Sequence, residues 1–242
     1  MRLLQLNAWQ LRLAKKVEDM ISLETQDIIC LQEICDAKNE LGFITTLTEL
    51  QQDIKYAHQY YSPVYSFDFM DETVGFGSAI IANQAFATKS STFTSGQYKN
   101  SFTLNNDDYN VRNFQHVTVS HNNEFIHIIN HHGYHVPNHK NGNEHTLKAC
   151  QQIADYIAKL DGPIIVAGDF NLTPNSESIE VLNGRLRNLS IEYNLQTTRN
   201  DLTTKTEVCD YIFVNDKVKV NDFYISDVVA SDHQGLVLEF DI

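Results

Sequence analysis

Proline and glycine are scarce in this chain, with four and ten in 242 residues. No Pro- or Gly-rich linker, low-complexity tract or internal repeat divides it, and a collagen-like or spacer function is excluded. Residues 1–242 are therefore expected to form one domain. Cysteine is sparse too. Cys30, Cys35, Cys150 and Cys209 are irregularly spaced and form no C-x-x-C pair. That excludes a disulfide scaffold and points to buried free thiols in a reducing compartment. Long apolar runs are missing: none approaches the roughly 20 residues that span a bilayer, and no secretory h-region opens the chain. The expectation is a cytoplasmic monomer without membrane insertion. Positive charge is also in short supply, 18 Lys plus Arg against 31 Asp plus Glu, for a net charge of −13. A protein that grips long duplexes by neutralising their phosphates is thereby excluded. A local cationic site, or a bound metal ion, is not.

What is present is a series of short apolar runs: Leu3–Leu6, Ile28–Leu31, Ser78–Ile81, Phe114–Val119, Phe125–Ile129, Ile164–Ala167, Tyr211–Val214 and Leu236–Phe240. Their length and β-branched content predict strands. Leu11–Leu23 places Leu13, Val17, Met20 and Ile21 on one helical face, and Glu144–Leu160 does so with Leu147, Cys150, Ile153 and Ile157. Asp161-Gly162-Pro163 stops the second helix, and residues 41–58 read as a weaker third. Many strands with few helices between them indicate an α+β fold of two packed sheets flanked by helices.

The polar residues that end these runs concentrate the chemistry, because a rigid strand delivers its last side chain to the sheet edge in a fixed position. Asn7 follows the first run and Gln32-Glu33 the second. Asn130-His131-His132 ends the fifth and Gly168-Asp169-Phe170-Asn171 the sixth. Asp210 opens the seventh, and Ser231-Asp232-His233 precedes the last.

In this order the segments Leu6-Asn7-Ala8-Trp9, Asp27 to Glu33, Gly75 to Ile81, Asn130 to His132, Gly168 to Asn171, Asp210 to Phe213 and Ser231 to His233 resemble the endonuclease/exonuclease/phosphatase superfamily, the metal-dependent phosphoesterases related to pancreatic-type deoxyribonuclease. The resemblance implies a four-layered α/β sandwich, two central mixed β-sheets flanked by helices, with the active site where the strand ends of both sheets meet. It implies a phosphoester hydrolase dependent on Mg²⁺ or Mn²⁺. Glu33 is a hard oxygen ligand suited to such an ion, Asn7 offers an amide oxygen, and Asp232 is a second acidic contact, direct or through water. By the same resemblance Asp169 orients or deprotonates the attacking water and Asn171 donates to the phosphorane-like state. Asp210 orients His233, which is a base or an electrostatic contact, and His132 donates to a phosphoryl oxygen. Whether Asp169 or His233 is the base is left open. Arg112 stands where the family often has arginine, a phosphate contact or a sheet-edge cap.

Two positions depart from the family pattern. Val208 stands where a basic residue often precedes the strand aspartate by two, and Gly133 follows His132 in place of the usual leucine. Tyr98 and Tyr109 are both candidates for a tyrosine that some nucleases of the family place beside the phosphate. His131, His132, His135, His139 and His145 crowd into one segment, which raises a zinc-binding alternative.

Substrate choice in this superfamily rests on loops, expected here at 60–73, 94–112 and 133–145. The first two are aromatic and acidic, with no Lys/Arg stripe. The expectation is a phosphodiesterase acting on short or single-stranded nucleic acid or nucleic-acid ends. The alternatives are a phosphatase or phosphodiesterase for inositol phosphates or a sphingomyelin-type headgroup, and an inactive binding module.

Overall fold

The structure is a computed structural model, and it describes all residues except Glu24, Phe43 and Asn123. Its strands and helices are, in chain order, β1 (Arg2–Asn7), α1 (Ala14–Leu23), β2 (Ile28–Asp36), α2 (Leu47–Ile54), β3 (His58–Phe69), β4 (Glu72–Ala82), β5 (Phe86–Ser95), β6 (Arg112–His121), β7 (Glu124–His132), α3 (Glu144–Ile157), β8 (Ile164–Asp169), α4 (Glu177–Asn183), β9 (Arg187–Asn188), α5 (Leu189–Glu192), β10 (Asp210–Val214), β11 (Lys219–Ile225) and β12 (Leu236–Asp241).

Two six-stranded mixed sheets face each other, in the order β11-β12-β1-β2-β4-β3 and β5-β6-β7-β8-β10-β9. Each is built around one parallel pair, β1 with β2 and β7 with β8, and each pair has antiparallel neighbours. The carboxyl ends of β1, β2, β7 and β8 and the amino ends of β10 and β12 therefore meet at one edge. Crevices at such strand ends are where α/β sheets place their ligands.

Side-chain alternation builds the layers. Along β1, Leu3 enters the core between the sheets, while Leu4 and Leu6 face outward with Val17 and Met20 of α1 and Leu47 and Leu50 of α2. On the other sheet, Ile129, Val166 and Phe213 pack outward against Cys150 and Ile153 of α3 and Ile179 of α4. The space between the sheets changes character along the strands. Its lower part is apolar, with Leu3, Ile28, Ile128, Ile165, Ile212 and Leu238. Above that lies a buried amide seam. Gln5 donates to Gln32 (3.0 Å) and Asp210 (3.2 Å), Gln32 donates to Asn130 (2.6 Å), and Asn130 donates to Gln115 (3.0 Å) and to the carbonyls of Leu31 (3.0 Å) and Ala79 (3.1 Å). Asn7, His132 and Asp169 lie one step further along the same faces.

Several boundaries differ from the sequence reading. Residues 60–73 are not a loop but most of the β3–β4 hairpin, paired from His58↔Ala82 to Phe69↔Glu72. The first helix starts at Ala14 because Trp9, Gln10 and Leu11 form a left-handed turn, with φ of 49°, 58° and 54°. The segment 41–58 yields only α2, opened by a Thr46–Glu49 capping box and closed by Lys55 in the left-handed region. Glu144–Leu160 forms its helix only as far as Ile157. Among the described residues no helix is long and apolar enough to cross a membrane.

Candidate active site

Glu33 reaches the strand-end edge through a bulge. β2 does not stop after Leu31. Its register with β4 shifts between Leu31 and Ile34, and Glu33 takes a left-handed backbone (φ 54°). A bulge re-aims one side chain while the strand continues, and Glu33 lines the cleft above the seam. Its Oε1 lies 3.2 Å from the Asn7 amide nitrogen and 3.8 Å from His132 Nε2. Burial raises its pKa and the Asn7 bond lowers it, with the net shift upward. No Lys or Arg ion-pairs with it among the described residues. A half-buried carboxylate that faces the cleft without a Lys or Arg partner fits a divalent ion.

Asn7 joins the two sheets. Its Nδ2 donates to Glu33 and, at 2.9 Å, to Asp169 Oδ2, while its Oδ1 accepts the Trp9 N–H at 3.2 Å. Asp169 Oδ1 accepts the Asn171 N–H at 2.8 Å, closing the turn that puts Asn171 at φ 56°. Burial pushes Asp169 up, but His233, His132, Arg199 and Lys140 outweigh it and hold the carboxyl below the usual carboxylate range. His132 is driven well below the ordinary histidine range by burial and by Arg112, so its imidazole is neutral. Gly133 is required because its N–H donates to the Asp169 carbonyl at 2.7 Å, and a Cβ there would sit 2.1 Å from the Phe170 carbonyl oxygen.

Asp210 is wholly buried and fully engaged. It accepts from Thr198 Oγ1 (2.6 Å) and Gln5, and it holds His233 Nδ1 at 2.8 Å. Burial lowers His233, but Asp210 and Asp169 raise it above the ordinary histidine range. His233 Nε2 lies 3.7 Å from Asp169 Oδ2. Asp169, Cys209, Asp210 and His233 are close enough to share an ion. The Asp210 oxygens are already taken by Thr198, Gln5 and His233, so this group is a hydrogen-bonded orienting network and Glu33 has the open carboxylate.

Asp232 is held differently from Glu33: its Oδ2 accepts from Arg199 NH1 at 3.1 Å. The same guanidinium touches His233 Nε2, and its buried Nε has no hydrogen-bond partner. Arg199 lines the cleft and supplies a cation near the position where Val208 lacks one. Lys140, also buried, donates to Asn171 Oδ1, and Asn171 Nδ2 donates to the Gly133 carbonyl at 3.3 Å. Arg199 and Lys140 escape sequence reasoning because both sit in loops with no flanking apolar run. Arg112 spends its donors on the carbonyls of Gly133 (2.8 Å), Tyr109 (2.7 Å) and Val111 (2.9 Å), and it also lines the cleft.

The cleft holds about 700 Å³. Its polar floor is Glu33, His132, Asp169, Asn171, Arg199, Asp232 and His233. One wall is aromatic: Tyr65 is stacked between Phe76 (5.0 Å) and Phe102 (4.2 Å), with Phe67 and Tyr109 alongside. Of the two candidate tyrosines, Tyr109 lines the cleft and Tyr98 does not. The five clustered histidines diverge. His131 is buried on the Asn113 carbonyl (3.2 Å), His132 faces the cleft, and His135 bonds Tyr109 (3.0 Å). His139 accepts the Asn141 N–H (3.3 Å), and His145 stacks on Tyr134 (4.8 Å). That dispersal gives the zinc alternative no support.

Comparison with known proteins agrees with this geometry. Residues 4–233 match the model of the Endonuclease/Exonuclease/phosphatase family. No curated protein matches the sequence closely enough to compare. Among solved structures, an endonuclease/exonuclease/phosphatase family protein from Leptotrichia buccalis superposes with a TM-score of 0.74 at 18% identity, covering all of both chains. D. rerio TDP2 complexed with single-strand DNA product gives 0.74 at 14%, covering 100% of this chain and 99% of that one. A Bacteroides thetaiotaomicron mannosyl-6-phosphatase gives 0.67 at 19% over the whole of both. With its two facing sheets and this family match over nearly its full length, the chain belongs to the endonuclease/exonuclease/phosphatase family.

Proposed function

We propose that this protein is a divalent-metal-dependent phosphoester hydrolase, a phosphodiesterase acting on short or single-stranded nucleic acid or nucleic-acid ends. The observation that carries the reading is the convergence of Glu33, His132, Asp169, Asn171 and His233, drawn from both sheets, at one cleft floor, with Asp210 buried behind His233. Mg²⁺ or Mn²⁺ bound at Glu33, with Asn7 and Asp232 contributing directly or through water, would neutralise charge on the phosphoryl oxygens.

Each remaining role follows from a contact. Asp169, ionised and anchored by Asn7 and the Asn171 N–H, orients the attacking water and accepts its proton. Asp210 fixes the His233 ring through Nδ1, which holds Nε2 between the Arg199 guanidinium and Asp169 at the cleft floor. Neutral His132 and the Asn171 amide donate to the charge that develops on the phosphoryl oxygens. Arg112 and Arg199 add fixed positive charge. The aromatic wall beside this floor suits stacking of an unpaired base, which is sequence-tolerant. TDP2 with its single-strand DNA product and the mannosyl-6-phosphatase mark the two substrate directions, nucleic-acid end and sugar phosphate, and the wall favours the first.

Hydrolysis of bis-p-nitrophenyl phosphate should cease in EDTA and return with Mg²⁺ or Mn²⁺. Asp169→Asn and His233→Ala should each lose about 10²-fold or more, as expected of proton-handling groups. Near-normal rates in both variants would overturn the mechanism. A panel of single- and double-stranded DNA, RNA with a poly(A) tail, abasic DNA, a 5′-tyrosyl oligonucleotide, inositol polyphosphates and sphingomyelin then ranks substrates. Asp169→Asn is the control for contaminating nuclease.

A further inference from the structure

Two hydrogen-bond donors on the rim of the cleft, His135 and Lys205, have no part in the catalytic floor. The chain as a whole is acidic, with a net charge of −13, yet His135 and Lys205 both line this cleft. The loop after β7 delivers His135, and the loop before β10 delivers Lys205. Neither has an acidic partner among the described residues. Of the acids nearby, Asp107 pairs with Lys99 at 2.9 Å, Asp108 accepts the Asn110 N–H at 2.8 Å, Glu207 accepts the Thr206 N–H at 3.1 Å, and Asp232 pairs with Arg199 at 3.1 Å. Asp68 of the β3–β4 hairpin also lines the cleft.

His135 is held in place rather than loosely exposed. Its N–H donates to Asn110 Oδ1 at 2.9 Å, its carbonyl accepts from Asn110 Nδ2 at 3.1 Å, and its ring Nδ1 lies 3.0 Å from the Tyr109 hydroxyl. With Tyr109 donating to Nδ1, the ring proton sits on Nε2, which has no bond of its own. Burial, with Lys140, Lys205 and Arg112 close by, lowers its pKa to about 4, so this corner is already positive without it. The loop that bears Lys205 is tied down by Asn200, which donates to the Ser231 carbonyl at 2.8 Å, and by the bridge between Arg199 and His233. A polar donor and an uncompensated ammonium, both on anchored loops beside the catalytic floor, suit an anion.

We propose that His135 and Lys205 form a second anion subsite on the rim, which takes a phosphate flanking the scissile phosphoryl group, so that the substrate class is a phosphoester bearing at least two phosphates. This rests on the phosphoesterase reading above and narrows it. Diesters with a single charged phosphate leave the subsite empty. A 5′-phosphorylated nucleic-acid end fills it, as does a sugar bisphosphate, and the two sources are separated by experiment.

The test pairs substrates that differ by one phosphate: pdTpdT against dTpdT, and glucose 1,6-bisphosphate against glucose 6-phosphate. Binding to the Asp169→Asn protein in Mg²⁺ is measured by calorimetry, and kcat/KM is measured on the active enzyme. The two-phosphate member of one pair should be favoured about fivefold or more, and that pair identifies the source. His135→Ala/Lys205→Ala should bring the ratio towards one. Lys205→Glu alone, on an exposed side chain, should lower it without a folding penalty, and Lys205→Arg should keep it. Equal binding of both members in both pairs overturns the subsite, as does a preference that survives the double variant. If Asp169→Asn binds pdTpdT preferentially but the active protein turns over no phosphoester, the subsite stands and the hydrolase reading fails.

Discussion

Acid should loosen this protein through His131, and the structure sets the size of the effect. The imidazole lies on the helix-facing side of β7, donates from Nδ1 to the Asn113 carbonyl at 3.2 Å, and meets the Phe170 ring edge-on at 5.0 Å. Burial is the main cause that lowers its pKa to about 4, and Arg112 adds to it against the Asn113 bond. The folded state thus keeps the ring neutral down to about pH 4, whereas the unfolded chain takes a proton near the ordinary 6.5. Stability from this group is complete above pH 6.5 and is lost as the pH falls towards 4. At 1.36 kcal/mol per pH unit the full gap is worth roughly 3 kcal/mol, and most of it is gone by pH 4.5. Urea unfolding at pH 7.5 and 4.5, on the wild type and on His131→Asn, isolates it, because the other titrating groups are common to both proteins. The wild type should lose about 2–3 kcal/mol more than the variant between the two pH values. Equal losses would mean that His131 is not the buried neutral group described.

Lys140→Met should lower kcat roughly tenfold with little change in KM, since Asn171 loses the partner that orients its amide rather than a contact to substrate; a proportional rise in KM would argue against that role. Gly133→Ala should destabilise by more than about 3 kcal/mol and lower Tm by roughly 6–12 °C, because the methyl meets the Phe170 carbonyl. An unchanged melting curve would refute the close approach. Glu33→Gln should weaken Mn²⁺ binding about tenfold or more by calorimetry, and Asp232→Asn distinctly less, because Arg199 already answers the Asp232 charge. The reverse order would make Asp232 the principal ligand.

The sequence exposed the inner strands and hid the outer ones. All eight apolar runs lie within strands, and all eight of those strands are interior. β3, β5, β9 and β11, the strands that no run announced, occupy the four sheet edges. An edge strand buries less, so it needs no apolar run. β5 is mostly exposed and rich in Ser and Thr, and β3 carries Pro63, which an edge tolerates. The site divides in the same way. Asn7, Glu33, His132, Asp169, Asp210 and His233 were legible because strand ends place them. Arg199, Lys140 and His135 act from loops whose path is set by contacts distant in sequence, such as Lys140 with Asn171 and Asn200 with Ser231. Glu33 itself is aimed into the cleft by a bulge that nothing in Ile28–Leu31 announces.

The amide seam between the sheets has a mechanical consequence. A greasy interface allows two sheets to slide with little penalty, since one methyl group replaces another. Here a slip of one residue would separate Gln32 from Asn130 and Gln5 from Asp210 at the same time, stranding buried donors and acceptors. The seam therefore acts as a shear key directly beneath the cleft. Asn7 and Glu33 on one sheet stay aligned with His132 and Asp169 on the other, and the two halves of the site keep their spacing.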